Sequence, residues 1–242
     1  MIKHIIVLMS LLSVVLLTGC AEDVDSEDIR TSGIYAGMDL NATADDLLNI
    51  DVYLVVGGKD SNTYVSLTNG DKLTATMNDS ETITLSKTEK SDKEIHYVGA
   101  FNNNVAGAEN STFKISFERT SADTSALNSV VTLPAAPSGI TSDKQSFNRS
   151  TENITLTWDN SNTDNNLSLA YDGDCIEGDN FAIVDNGAYT INAGTIKDRN
   201  QNSCQLRFTF SRTVNGTLDP AFGEGGYIKA KQSRSYSVTS TR

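Results

Sequence analysis

Short runs in which apolar and polar residues alternate fill most of the sequence after residue 32. The segments "NITLTW" at 153–158 and "CQLRFTF" at 204–210 put every second side chain on an apolar face, which is the period of a half-buried β-strand. Clusters of Asn, Asp, Gly and Ser separate these runs every 8–12 residues or so. The one candidate helix, "ATADDLLNI" at 42–50, runs straight into a strand pattern. The sequence therefore predicts an all-β fold.

The strand pattern is interrupted at "LPAAPSG", residues 133–139, which holds two of the three prolines in the chain. Proline cannot donate a hydrogen bond to a β-ladder, so this segment is expected to end one sheet and begin another unit. About seven short strands on each side are typical of a β-sandwich. The sequence therefore predicts two antiparallel β-sandwich domains, residues 29–134 and residues 135–242.

Two turns are predicted inside these domains. Asn69-Gly70 supplies the positive φ angles that a two-residue hairpin turn requires, so the strands on either side of it are expected to pair. Residues 185–187, Asp-Asn-Gly, are expected to turn a hairpin in the second domain in the same way.

The start of the second domain carries a further pattern. Ile154, Leu156 and Trp158 alternate, which puts the only tryptophan on the buried face of an early strand. Together with the preceding "LPAAPSG", this segment resembles the opening of fibronectin-type-III and other immunoglobulin-like domains, over residues 134–171. The resemblance implies tandem immunoglobulin-like sandwiches. The sequence departs from antibody-type domains because Cys175 follows Trp158 and its next strand instead of preceding them.

The N-terminus reads as an export signal. Lys3 precedes the apolar segment 5–17, which is too short to span a bilayer. The segment ends in Leu17-Thr18-Gly19-Cys20, which resembles the lipobox of bacterial lipoproteins. This resemblance implies that residues 1–19 are a signal peptide and that Cys20 becomes the acylated, palmitate-bearing first residue. In this family an aspartate directly after the cysteine tends to hold the protein at the inner membrane. Because Ala21 stands at that position here, the resemblance also favours the outer membrane. An ordinary cleaved signal is the alternative.

The acidic segment "AEDVDSED" follows the cysteine directly. Like charges repel one another and the anionic lipid surface, so residues 20–28 are expected to form an extended tether between the membrane and the first domain. Without residues 1–19 the chain has 18 basic and 31 acidic residues. Such a net charge disfavours nucleic acid as a partner.

Cys175 and Cys204 are the two cysteines that remain after acylation. An even pair in an oxidising compartment predicts a disulfide, which would fix an acidic loop to the start of a strand. The loop "YDGDCIEGDN" and the nearby "DRNQNS" would then approach each other. Their carboxylates at Asp172, Asp174, Asp179 and Asp198 form a possible calcium site, with a plain polar loop as the alternative.

The sequence offers little for catalysis and predicts no cofactor. Beyond the signal the only histidine is His96, which lies in the strand-like stretch "KEIHYVGAF" without a nucleophile-elbow motif. We therefore expect a non-enzymatic, membrane-anchored lipoprotein that displays its sandwiches for adhesion, envelope structure or binding of a protein or glycan. The alternative is an extracytoplasmic hydrolase or carbohydrate-active accessory protein that uses the acidic loops of the second domain.

Overall fold

The computed structural model describes residues 22–44, 47–90, 93–102, 109–120, 123–160, 166–199 and 201–242. The lipobox and Cys20 lie outside these residues. Two single-turn 3-10 helices stand at Ser26–Asp28 and Thr31–Gly33, and the rest of the regular structure is β. No helix in the described part of the chain has the length and apolarity needed to cross a membrane. The all-β prediction is confirmed.

The first half of the chain contributes ten strands. They are β1 (Glu22–Asp25), β2 (Ile34–Ala44), β3 (Leu47–Val56), β4 (Thr63–Ser66), β5 (Lys72–Met77), β6 (Glu81–Thr84), β7 (Ser86–Glu89), β8 (Ile95–Asn102), β9 (Thr112–Glu118) and β10 (Ala126–Thr132). The candidate helix at 42–50 is occupied by the end of β2 and the start of β3, because Leu48 and Ile50 continue the alternation of a strand facing the core.

The second half contributes eight strands. They are β11 (Thr141–Ser142), β12 (Ser146–Asn148), β13 (Ile154–Thr157), β14 (Asn166–Asp172), β15 (Asp179–Val184), β16 (Ala188–Ile191), β17 (Ser203–Asn215) and β18 (Tyr227–Thr241).

One 11-stranded sheet, the main sheet, runs through both halves in the order β1-β4-β3-β2-β18-β17-β14-β15, with β7, β8 and β12 attached. A four-stranded sheet, β10-β9-β5-β6, is the first cover sheet, and a three-stranded sheet, β11-β13-β16, is the second cover sheet. Each cover sheet packs on its own part of the main sheet, as the contacts Phe101–Phe113 and Trp158–Phe210 demonstrate. The β-sandwich prediction is confirmed, with the addition that the two sandwiches share a sheet.

The long β17–β18 hairpin makes this continuity possible. Strand β17 pairs with β18 over its full length, from Ser203 opposite Thr241 to Asn215 opposite Lys229. The first part of β18 also pairs in parallel with β2, from Tyr227 opposite Gly37 to Gln232 opposite Ala42. The open end of the hairpin therefore lies in the second sandwich, and its turn end lies in the first.

The two hydrophobic cores follow the same division. The first cluster combines residues 34–133 with Phe222, Ile228 and Ala230 from the hairpin end, whereas the second lies within residues 147–238. The domain boundary between residues 134 and 135 stays a prediction. The packing adds that apolar residues after position 213 complete the first core.

Both predicted hairpin turns join different sheets. Asn69 and Gly70 have the expected positive φ of 50° and 85°, but β4 lies in the main sheet and β5 in the first cover sheet. The turn at Gly187 (φ 91°) likewise connects β15 of the main sheet to β16 of the second cover sheet. The hairpin interpretation was wrong because a turn residue fixes local backbone direction, while burial of apolar faces decides which strand becomes the partner.

Candidate functional site

The disulfide predicted between Cys175 and Cys204 is present. Cys175 is completely buried in the turn after β14, and Cys204 is the second residue of β17. A backbone bridge between Ile176 and Asp198 brings the two acidic loops together beside it. The bridge therefore joins a loop to a strand end, as expected.

The four acidic side chains named for calcium have other surroundings. Asp172 forms an ion pair with Arg207 at 3.0 Å, and Asp198 lies within 3.0 Å of both Arg149 and Arg242. Asp174 and Asp179 are exposed, and a carboxylate oxygen of Asp179 accepts a hydrogen bond from the backbone of Asn180. Within the described ranges no group of three or more His, Cys, Asp or Glu side chains is arranged to hold a metal. Arginines thus neutralise two of the four carboxylates.

Surface grooves lie elsewhere in the molecule. A groove of about 170 Å³ borders β1 and β8. A second groove, of about 460 Å³, lies between β10 and β17. A third, of about 510 Å³, lies on the outer side of β9 and β10. Asp172, Asp174, Asp179 and Asp198 line none of these three grooves. None of these three grooves therefore provides the cleft that a glycosidase carboxylate pair at these four residues would need.

A cluster that the sequence analysis did not identify lies on the outer side of the main sheet, in the first sandwich. Strands β2, β3, β8 and β18 point alternate side chains inward to the core and outward from it. We call the outward set the tyrosine face. It consists of Tyr35, Gly37, Asp39, Asp51, Tyr53, His96, Tyr227 and Lys229.

The ring of Tyr53 lies over Gly37 at the centre of the tyrosine face. A Cβ atom added to Gly37, on the neighbouring strand, would lie only 2.3 Å from Cε1 and Cζ of the Tyr53 ring. The ring can therefore rest on the β2 backbone only because residue 37 is glycine. Tyr35 and His96 flank it, with ring centroids 6.1 and 5.8 Å from that of Tyr53.

Phenol groups and a carboxylate form a hydrogen-bonded series across this face. The Tyr227 hydroxyl donates to Asp39 at 2.7 Å, and side-chain hydrogen bonds connect Tyr53 with both Tyr227 and Tyr35. Burial, followed by the bond with Tyr53, raises the pKa of Tyr35 to about 12. Burial and the bond with Asp39 raise the pKa of Tyr227 as well. Tyr35 and Tyr227 are therefore neutral at physiological pH and act as hydrogen-bonding groups.

Both carboxylates of the tyrosine face have cationic partners. Lys229 lies 3.0 Å from Asp39, and Lys90 lies 2.9 Å from Asp51. His96 Nδ1 lies 2.5 Å from Asp51, with Glu94 on its other side at 3.5 Å. Burial alone would raise the pKa of Asp51, but hydrogen bonds from His96 and Lys90 outweigh burial and lower the pKa. Each of the two carboxylates of the tyrosine face is therefore paired with a lysine.

The acidic segment after Cys20 is part of the first sandwich, which differs from the extended tether expected over residues 20–28. Glu22–Asp25 form β1, which pairs in parallel with β4, and Val24 packs against the first core. The guanidinium of Arg119 is fully buried beside Asp71 and donates to the backbone carbonyls of Ser26 and Ile29. These bonds outweigh the mutual repulsion of the acidic side chains, which point to solvent.

A second buried arginine fixes the junction between the sandwiches. Arg212 forms a two-point ion pair with Asp185, at 2.7 and 3.1 Å, and donates to the carbonyls of Ala135 and Ala136. Trp158 Nε1 donates to the same carboxylate at 2.7 Å. Both charged side chains are at most 3% exposed. The proline-containing linker is thus held by the β17–β18 hairpin.

Local sequence contained a signal for the tyrosine face but none for the burial of Arg119 and Arg212. Tyrosines at positions 35, 53 and 227 occupy the polar half of alternating strands, where Thr, Ser or Lys is the more common choice. That excess could have pointed to an aromatic outer face. The pairing of Arg119 with Asp71 and of Arg212 with Asp185 depends on contacts between residues 48 and 27 positions apart, which no local pattern encodes.

Comparisons with known proteins give likeness only at the level of solved structures. No protein-family model and no curated protein matches the chain. The FN1–FN3 domains of chicken CNTN1 share 10% identity with it at a TM-score of 0.28, over 85% of this chain and 64% of theirs. A titin fragment matches 86% of this chain and 66% of its own, and a titin immunoglobulin tandem matches 84% and 94%, both with 10% identity and a TM-score of 0.25. The chain thus spans slightly less than two thirds of the first two fragments.

Proposed function

We propose that this chain is a lipid-anchored, non-enzymatic lipoprotein that displays two β-sandwiches from a bacterial membrane for binding, adhesion or envelope structure. In this proposal residues 1–19 are removed and Cys20 is acylated. Two or three acyl chains on one residue give stable anchoring, whereas a single chain does not. The outer membrane is the favoured site because Ala21 follows the cysteine.

The observation that carries the display role is the coupling of the two sandwiches into one unit. The β17–β18 hairpin contributes to both, and Arg212 holds the linker between them. A flexible two-domain chain would move its distal surface freely relative to the membrane. A shared sheet instead keeps the distal sandwich at a fixed orientation to the anchored one, which suits presentation of a surface.

The start of β1 supports close attachment. Only Ala21 separates Cys20 from Glu22, so the anchor would lie within about 7 Å of the first strand at 3.3–3.6 Å per extended residue. The first sandwich would then be next to the bilayer and the second would project away from it.

We favour binding over hydrolysis because of the environment of the acidic loops. The carboxylates of Asp172 and Asp198 are each paired with an arginine, whereas the acid of a glycosidase pair must face the glycosidic oxygen to which it gives its proton.

The anchoring proposal is tested with the full precursor expressed in a bacterium supplied with labelled palmitate. Wild-type protein should incorporate label and enter the detergent phase, whereas Cys20→Ser should do neither. The double variant Cys175→Ser, Cys204→Ser is the matched control, because it loses cysteines without losing the lipobox, and should still be labelled. Unlabelled wild-type protein, or detergent partitioning by Cys20→Ser, would contradict the proposal.

A further inference from the structure

We propose that the tyrosine face binds an uncharged polysaccharide, with a sugar ring stacked on Tyr53. This inference names a ligand class for the proposed display protein and therefore rests on the proposed function. The site lies in the first sandwich, away from the acidic loops from which the sequence suggested carbohydrate chemistry.

The geometry of Tyr53 is the first step. Its ring is pressed against Gly37, so one face is covered by backbone while the ring as a whole stays only half-buried. Pyranose rings present an apolar face of C–H groups, which packs on a flat aromatic face. A flat tyrosine on an open sheet provides such a surface, because it combines apolar area with a polar edge.

The polar groups around the ring supply the second step. Asp39 and Asp51 are cross-strand partners that lie two residues along the strands from the Gly37–Tyr53 pair, and each holds a lysine. An ionised carboxylate can accept about four hydrogen bonds. Asp39 is engaged by Lys229 and Tyr227, and Asp51 by Lys90 and His96, so each retains capacity for sugar hydroxyls beyond these two partners. Lysine ammonium groups have three donors and can serve hydroxyl oxygens in the same way.

The charge balance decides between classes of ligand. The whole chain has a formal net charge of −12, yet the two carboxylates of this face are matched by Lys229 and Lys90. Carboxylates that are already paired with lysines do not select a polyanion or a polycation, and a neutral, hydroxyl-rich ligand is the complementary partner. Strand β2, under the ring, is paired on both sides with β3 and β18. A peptide therefore cannot add as an extra strand at this position.

The experiment uses the soluble full mature chain carrying Cys20→Ser, so that its outcome does not depend on anchoring. Retardation in native gels is measured with embedded amylose, xylan, mannan, mixed-linkage β-glucan and hydroxyethylcellulose, with alginate as the anionic comparison. We expect retardation by at least one neutral polymer and none by alginate. Retardation by no neutral polymer, or by alginate alone, would overturn the proposal. Binding to unfolded casein without polysaccharide binding would assign the face to polypeptides instead.

Three variants locate the binding. Tyr53→Ala should weaken binding of the retarding polymer at least tenfold, and Tyr53→Phe, which keeps the ring, should stay within about threefold of the parent. Gly37→Ala keeps every ring and charge but pushes the Tyr53 ring off the sheet, and it should weaken binding like Tyr53→Ala. Tyr189→Ala, on the second sandwich, is the control and should bind normally.

Thermal melts of each variant separate loss of the site from loss of the fold. If Tyr53→Ala does not fold, the test of binding at the tyrosine face rests on Gly37→Ala and on the rim variant Lys229→Met. The native Lys229 side chain is 40% exposed. Undiminished binding by folded Tyr53→Ala or Gly37→Ala would refute stacking on Tyr53. Failure of Cys20 acylation with polysaccharide binding intact would refute only the anchoring proposal.

Discussion

The first sandwich buries 29 apolar residues in one cluster, whereas the second buries 16, counted over the described residues. The smaller core is covered by three short strands, and it has a disulfide and a buried Arg212–Asp185 pair in addition. The larger core has no cross-link but draws part of its apolar content from the far end of the chain. Both sandwiches contain a buried arginine–carboxylate pair, Arg119–Asp71 in the first and Arg212–Asp185 in the second. The smaller core and the disulfide are therefore what distinguish the second sandwich, and each sandwich can be weakened by a different kind of change.

The largest expected effect separates the halves themselves. A fragment of residues 22–134 lacks Phe222, Ile228 and Ala230 and leaves β2 without its β18 partner, so we expect it not to fold cooperatively. Residues 135–242 retain the second core and the disulfide and should melt cooperatively on their own. Circular dichroism and thermal melts of both fragments provide the test. A cooperative melt of the 22–134 fragment would mean that the hairpin end is dispensable for the first core.

The next effect concerns the buried arginine of the junction. Arg212→Ala leaves Asp185 as a buried, unpaired charge and releases the linker carbonyls, so it should lower the free energy of unfolding by about 3–5 kcal/mol. Arg207→Ala, on the same strand, is the control because its pair with Asp172 is more than half exposed, and it should cost at most about 1 kcal/mol. Urea unfolding measures both. Equal losses would indicate that burial of the ion pair does not matter.

A slightly smaller effect distinguishes the sandwiches by redox state. Cys175 and Cys204 close a loop of 29 residues, so reduction should destabilise the second sandwich by about 3–4 kcal/mol on the chain-entropy model. Amide hydrogen exchange with and without a reductant should report faster exchange in β14 and β17 but not in β3 or β5. Faster exchange in all four strands would instead reveal that the shared sheet transmits the loss.

The smallest expected effect is a response of the first sandwich to acid. The folded pKa of Asp51 is lowered, so its contribution to stability is present above the unfolded value of about 3.9 and is lost as pH falls through the folded pKa. Asp51→Asn should therefore cost about 0.2–1 kcal/mol at pH 7 and converge on the wild type in strong acid. Thermal melts across pH provide the measurement, with the exposed Asp79→Asn as control. A loss that is independent of pH would point to packing instead of charge.

Much of the strand content could be predicted from the sequence, because a half-buried strand has an apolar residue at every second position. The alternating segment at 153–158 contains β13 (Ile154–Thr157), and Trp158 is buried as expected. The choice of partner strands was not predictable in the same way. Asn69-Gly70 has the backbone of a hairpin turn. The two strands on either side of it nevertheless belong to different sheets, and their apolar faces meet the core from opposite sides.

The candidate sites divide along the same line. The disulfide followed from a count of cysteines and from the compartment, so it could be predicted without coordinates. The calcium hypothesis counted acidic residues but could not count the arginines that reach them, since Arg149 and Asp198 lie 49 residues apart. The tyrosine face needed four strands in register before its members could be recognised as neighbours.

The parallel pairing of β2 with β18 also sets the order in which the chain can fold. Tyr227 bonds to Asp39 across 188 residues, so the first sandwich cannot close until almost the whole polypeptide has left the ribosome or the export channel. Contacts of such long sequence separation slow folding and prolong the lifetime of exposed strand edges. The part of the protein that is made first is therefore finished last, and during that interval its apolar strands are exposed to aggregation.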